Sequence, residues 1–145
     1  MREEETIVFS DHPFAATRDL VMHAHRKRYD LAAFLAYFQD DCTFQIVGRV
    51  PDYPFSGVHV GKAGVGALLR RIDAQIEQTE DRILNLLVDG DRVAVRRSVV
   101  VRHYGTAART RLVVGDIFTL RDGKVAEIIE YVDTAWLKTL TGDET

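Results

Sequence analysis

The chain has 145 residues, 46% of them hydrophobic and 28% charged, with a net charge of −3 and a pI near 5.9. That is the size of one ordinary domain able to bury its own core. The acidic balance argues against nucleic acid as a partner, because phosphate binding needs a clustered excess of Lys and Arg, and the run Arg26-Lys27-Arg28 is too short to supply one.

No stretch approaches the roughly 20 apolar residues of a membrane span, and the opening Met1-Arg-Glu-Glu-Glu5 lacks the pattern of a signal peptide, so a cytoplasmic location with no membrane partner is expected. Cys42 is the lone cysteine and begins an apolar run, which marks it as a small buried hydrophobe. With no internal repeat or linker, the whole of 1–145 is expected to be one domain with a core over about 14–140.

Helices come first. Ser10 or Asp11 can cap a helix with Pro13 in its first turn, and Phe14, Thr17, Val21, Ala24 or His25, and Arg28 recur at helical spacing. Asp30 can cap a second short helix, Leu31 to Phe38. Cys42 to Val47 reads as a strand, Gly48 to Gly57 as a loop punctuated by Pro51 and Pro54, and Gly61 to about Gln78 as a third helix. Its apolar stripe runs through Val65, Leu68, Leu69, Ile72 and Ile76.

From Asp81 onward the period changes to alternation. Ile83–Val88, Arg92–Tyr104, Thr110–Leu120 and Lys124–Asp133 are predicted strands, joined by the short polar turns at 89–91, 105–108 and 122–123. Short turns make antiparallel neighbours, and Thr134 to Leu140 can close the chain as a last helical turn.

Asp116 stands out because it lies inside the apolar run Val113–Leu120, on the strand face of Val114, Phe118 and Leu120. An ionised carboxylate there costs several kcal/mol to desolvate unless it is paired or protonated. Two readings stay open: a functional carboxyl facing a small-molecule pocket, or an ion pair with an arginine on an adjacent strand, with Arg97 as the candidate.

The element order, with Tyr29-Asp30-Leu31 before the second helix, Phe55-Ser-Gly57 and Gly61 before the third, and Phe118-Thr-Leu-Arg-Asp-Gly-Lys-Val125 followed by Glu130-Tyr-Val-Asp133, resembles the SnoaL-like polyketide cyclase and ketosteroid isomerase-like branch of the nuclear transport factor 2-like superfamily. The resemblance covers about Phe14 to Leu140. It implies an α+β, cone-shaped, cystatin-like fold, in which N-terminal helices pack on a strongly curved, mainly antiparallel sheet around a pocket. It also implies a homodimer through the outer sheet face.

By the same resemblance, Asp116 falls where ketosteroid isomerases keep a protonated aspartic acid that donates a hydrogen bond to the developing enolate. The isomerase's proton-shuttling Asp corresponds most closely to Ile46 beside Gln45, and its hydrogen-bonding Tyr falls near Met22, so two of three roles are missing. Against the limonene epoxide hydrolases, Arg97-Ser98-Val99 keeps the Arg of an Arg-x-Asp motif and loses the acid, while Glu130 matches the water-activating Asp. The phases of Arg97, Asp116 and Glu130 permit one shared concave face.

The expected catalytic set is therefore Asp116, Arg97, Glu130 and His25, the last as a general base on the apolar side of the first helix or else as a satisfied core histidine. Tyr53 and His59 at the loop, His103 at a strand end, Met22 and Phe118 are the expected substrate contacts. His23 points elsewhere on its helix, and no residue set has metal-ligand spacing or a phosphate loop, so neither metal nor cofactor is expected. The implied activity is a cofactor-free isomerase, cyclase or hydrolase working on a mostly apolar small molecule. The alternatives are a non-catalytic binding domain for a hydrophobic metabolite and, third, a protein whose sheet face does the work.

Overall fold

A computed structural model describes residues 15–140. The caps expected at Ser10, Asp11 and Pro13, and the contact expected from Phe14, lie outside the described residues. Helix α1 spans Ala15–Arg26 and buries Val21 and Ala24 of the predicted stripe, together with Ala15, while Thr17 is half-buried. Asp30 caps α2 by accepting from the Ala33 amide at 3.4 Å, but α2 covers only Leu31–Leu35.

The expected extension of that helix to Phe38 fails because the backbone there is captured by the sheet. The Val125 amide donates to the Tyr37 carbonyl at 2.8 Å, and Phe38, fully buried, opens β1, Phe38–Ile46. A five-residue helix gains too little from propagation to compete with that pairing. Strand β2, Gly57–Val60, pairs antiparallel with β1; the sequence pattern ends a loop at Gly57 and assigns no element to 58–60.

Helix α3, Gly61–Gln75, packs on β1 with Val65, Leu68, Leu69 and Ile72 buried. Each fully buried Leu or Val contributes on the order of 2 kcal/mol. Ile76 is buried too, but as the first residue of β3, Ile76–Asp89, a strand longer at both ends than alternation alone suggests. Strands β4 (Arg92–His103), β5 (Arg109–Arg121) and β6 (Lys124–Tyr131) and helix α4 (Thr134–Leu140) follow within a few residues of expectation.

The strands form one six-stranded sheet in the order β2-β1-β6-β5-β4-β3, antiparallel except for the β1–β6 pair. Leu112, Val114, Asp116, Phe118 and Leu120 of β5 and Val93, Val95, Arg97, Val99 and Val101 of β4 face the core, where the helices cover them. Asp116 thus occupies a buried position in an otherwise apolar row.

Phase changes in β3 prepare the site. Thr79 pairs with Val100 and Arg82 with Ser98, so one extra residue is inserted, and Glu80 there adopts a left-handed φ of 52°. A second irregularity falls between Ile83 and Asn85. A bulge resets the two-residue alternation and bends the strand. Ile76 and Gln78 face the core before the first bulge, and Asp81 and Ile83 face it after.

Candidate functional site around Arg97

Arg97 is the centre of a buried charge cluster. Its Nε donates to Asp116 Oδ2 at 2.8 Å, Nη1 to Asp81 Oδ2 at 3.0 Å and Nη2 to Glu130 Oε1 at 3.1 Å. The planar fork of a guanidinium matches this three-way grip, which an ammonium could not. Burial opposes the charge on Arg97, but Asp116, Glu130 and Asp81 outweigh it and push the guanidinium pKa up.

Asp116 and Glu130 are register partners across β5 and β6. Their carboxyls therefore crowd one another, and Asp116 Oδ1 is buried with no hydrogen-bond partner among the described residues. Desolvation by burial, then the Asp116 charge, raise the Glu130 pKa to about 8, with Arg97 opposing them. A proton on Glu130 relieves both problems: it removes one of two facing negative charges and supplies a donor for Asp116.

Asp81 has the opposite setting. Burial disfavours its charge, yet the hydrogen bond with His25, the Arg97 charge and the Tyr29 hydroxyl together pull its pKa well below the usual carboxylate range. His25 Nε2 lies 3.1 Å from Asp81 Oδ1, and Tyr29 Oη donates to Asp81 Oδ2 at 2.7 Å. Arg28, beside them, forms a bidentate pair with Asp73 at 3.0 Å.

Two hollows meet at this cluster. One, of about 40 Å³, is walled mainly by apolar side chains, among them Leu69, Ile72, Val101, Leu112 and Val114, together with Tyr53. The other, of about 30 Å³, is walled by His25, Asp81, Asp116 and the rings of Phe34, Phe44 and Phe118. Arg28, Phe44, Arg97 and Glu130 belong to both walls. Each hollow has room for roughly two or three water molecules. Outside the second lies an open groove of about 340 Å³ over His25, Tyr29 and Asp81.

Of the residues singled out from sequence, Asp116, Arg97, Glu130, His25 and Phe118 come together in the second hollow, and Tyr53 lines the first. Burial raises the Tyr53 hydroxyl pKa, with Glu130 adding to it. Met22, half-buried on α1, lines neither hollow. His59 is turned to the backbone, its Nε2 2.9 Å from the Phe55 carbonyl. His103 is also tied locally: its Nδ1 accepts from the Thr106 amide at 3.1 Å in the β4–β5 turn. Of the two readings of Asp116, the ion pair with Arg97 is present, and the carboxyl whose pKa burial and a facing charge push up is Glu130.

Sequence reasoning missed Asp81, Tyr29 and Arg28. Asp81 stood where the period changed, and its inward direction depends on the bulge at Glu80, which alternation cannot reveal. Among the described residues no group of three His, Cys, Asp or Glu could hold a metal ion, and no helix is long and apolar enough to cross a membrane.

The helices-then-sheet order and this mixed six-stranded sheet define the nuclear transport factor 2-like fold. Residues 18–128 match the SnoaL-like domain, and the chain belongs to that family. An NTF2-like protein from Burkholderia xenovorans LB400 is 26% identical, with a TM-score of 0.76 over 87% of this chain and 95% of that one. An LEH-like epoxide hydrolase from M. tuberculosis is 21% identical, with a TM-score of 0.67 over 88% and 91%. A protein with a ketosteroid isomerase-like fold from Catenulispora acidiphila, in complex with trimethylamine, is 16% identical, with a TM-score of 0.66 over 77% and 83%. No curated protein matches the chain in sequence.

Proposed function

We propose that the protein is a cofactor-free isomerase, cyclase or hydrolase that acts on a small, mostly apolar molecule by carboxyl acid–base chemistry. The observation that carries this is the facing pair Asp116 and Glu130, braced by Arg97, both lining the second hollow, with Glu130 and Arg97 also in the wall of the first. Burial and the Asp116 charge drive Glu130 up while Asp81, on the other side of Arg97, is driven down, and environments that separate neighbouring titratable groups in this way assign acid and base. Glu130, protonated near neutral pH, is the acid that delivers a proton to a substrate oxygen.

Asp116 keeps that proton on Glu130 by its own charge, and Arg97 stabilises the negative charge left behind when the proton is given up. His25 takes the proton on the other side, from a carbon acid or from water in the second hollow. Asp81 holds its ring and stabilises the imidazolium that forms. Tyr53 and Phe118 bound the substrate, with the hydroxyl of Tyr53 directed to a substrate oxygen. The sheet face carrying Leu87, Val113, Ile117 and Tyr131, all exposed, is proposed as the homodimer contact.

The test is a turnover screen of small epoxides and β,γ-unsaturated ketones with wild type and Glu130→Gln. Product formed by wild type alone, at a rate that falls above about pH 8, supports the assignment. Equal turnover by the variant removes Glu130 from the chemistry. A non-catalytic pocket for a hydrophobic metabolite is the second proposal, favoured by the engagement of all three Arg97 nitrogens within the protein. Saturable binding without turnover across the screen selects it.

A further inference from the structure

We propose that the second hollow takes the protonated nitrogen of a small, mostly apolar amine, one of its N–H groups bonding to Asp116 Oδ1. This rests on the reading of the hollow as a ligand site, and adds the class of ligand.

The charge arrangement selects the class. Three carboxyl groups, those of Asp81, Asp116 and Glu130, line the hollow. The cations beside them are committed: Arg97 to all three, and Arg28 through both terminal nitrogens to Asp73. An anionic ligand would meet carboxylates in a poorly solvated space with no uncommitted guanidinium to receive it.

A cation meets the reverse. Asp116 is more than nine-tenths buried, and its Oδ1 has no hydrogen-bond partner among the described residues. The proton of Glu130 can serve that oxygen, but an ammonium N–H serves it and also neutralises a second carboxylate. The rings of Phe34, Phe44 and Phe118 complete the wall. Aromatic faces and carboxylates together are the chemistry that holds an alkylammonium, the rings by their quadrupoles and the acids by charge. The adjoining apolar hollow takes the alkyl portion.

The experiment uses the full chain and three probes of similar length: n-propylammonium, n-propanol and propionate. Binding is followed near pH 7 by calorimetry and by carboxyl and methyl NMR shifts. The ammonium is expected to bind saturably and at least about ten-fold more tightly than the alcohol, with no binding of propionate. Asp116→Asn should cost the ammonium about ten-fold while leaving the alcohol unchanged. Should that variant fold poorly, Phe118→Leu, which keeps an apolar wall, should weaken the ammonium by about two- to five-fold and spare the alcohol.

Equal or tighter binding of propanol or propionate, or no saturable binding of the ammonium, overturns the inference. Turnover of a neutral substrate in the screen above, with no preference for the ammonium, overturns it and leaves the acid–base chemistry standing. Ammonium binding without turnover does the converse.

Discussion

Asp116 and Glu130 stand directly opposite each other in the antiparallel ladder of β5 and β6, two carboxyls on one buried face. Side chains in that relation are roughly 5 Å apart at Cβ, and like charges there repel. Arg97 reaches both from β4, where it pairs with Val114 and so lies diagonal to Asp116. One guanidinium cannot neutralise two facing carboxylates and Asp81 as well, and burial with the Asp116 charge raises the Glu130 pKa to about 8.

Stability should therefore decline as pH rises through the neutral range. Glu130 has its pKa raised from 4.5 to about 8, so between those values the unfolded chain has given up a proton that the native state keeps. The contribution is whole below pH 4.5 and is lost as pH climbs through about 8. Glu130→Gln, which keeps a donor beside Asp116 and cannot ionise, should flatten this limb. Thermal melts of both proteins at about pH 5 and pH 9 check it, the difference in Tm shifting in the variant's favour at the higher pH.

Arg97→Ala should be among the most destabilising single substitutions in the molecule. It leaves three carboxyl groups without their shared cation, and stranding buried charge in this way costs about 3–5 kcal/mol. Arg97→Lys should recover only part of the loss, since an ammonium on a flexible stem cannot fork to three strands. Urea denaturation curves of the three proteins give the order; equal midpoints would show that the cluster does not depend on the guanidinium.

Asp116→Asn should move the Glu130 titration. Removing the facing charge takes away the second largest cause of the raised pKa and leaves desolvation, still opposed by Arg97. The Glu130 carboxyl, followed by carbon NMR across pH, should titrate below its wild-type midpoint. No movement would mean that the two groups are not coupled.

Asp81→Asn acts on the other limb. The carboxyl of Asp81 is held below its ordinary value of 3.8 by His25, Arg97 and Tyr29, against the cost of burial, so its contribution is present above that value and is lost as pH falls through the lowered one. The variant should be less stable at neutral pH by roughly 1–3 kcal/mol, the worth of hydrogen bonds to a charged group. It should also lose less further stability on acidification than wild type does. Acid titrations of folding by circular dichroism measure both.

Much of this architecture was legible in the sequence because its period is strong. Alternating runs separated by short turns at Asp89-Gly90-Asp91 and Asp122-Gly123 placed β4, β5 and β6 nearly to the residue, and the stripe from Val65 to Ile72 placed α3. Alternation also put Asp116 on the face of Phe118, and the joint phase of Arg97, Asp116 and Glu130 followed from the same pattern. Elements whose identity depends on a distant partner were misjudged. Phe38 left its helix because β6 bonds the backbone beside it, and β2 exists because β1 pairs with it.

Local pattern by itself determined that a carboxyl would be buried in an apolar strand and which arginine could reach it, since neighbouring residues alone set side-chain phase within a regular strand. Tertiary structure alone decided that Glu130 faces Asp116 and has its pKa raised, that Asp81 joins the cluster, and that His59 and His103 are turned to local backbone. A pKa depends on the summed field of groups from several elements, and Asp81 faces inward only because an extra residue at Glu80 shifts the phase of β3.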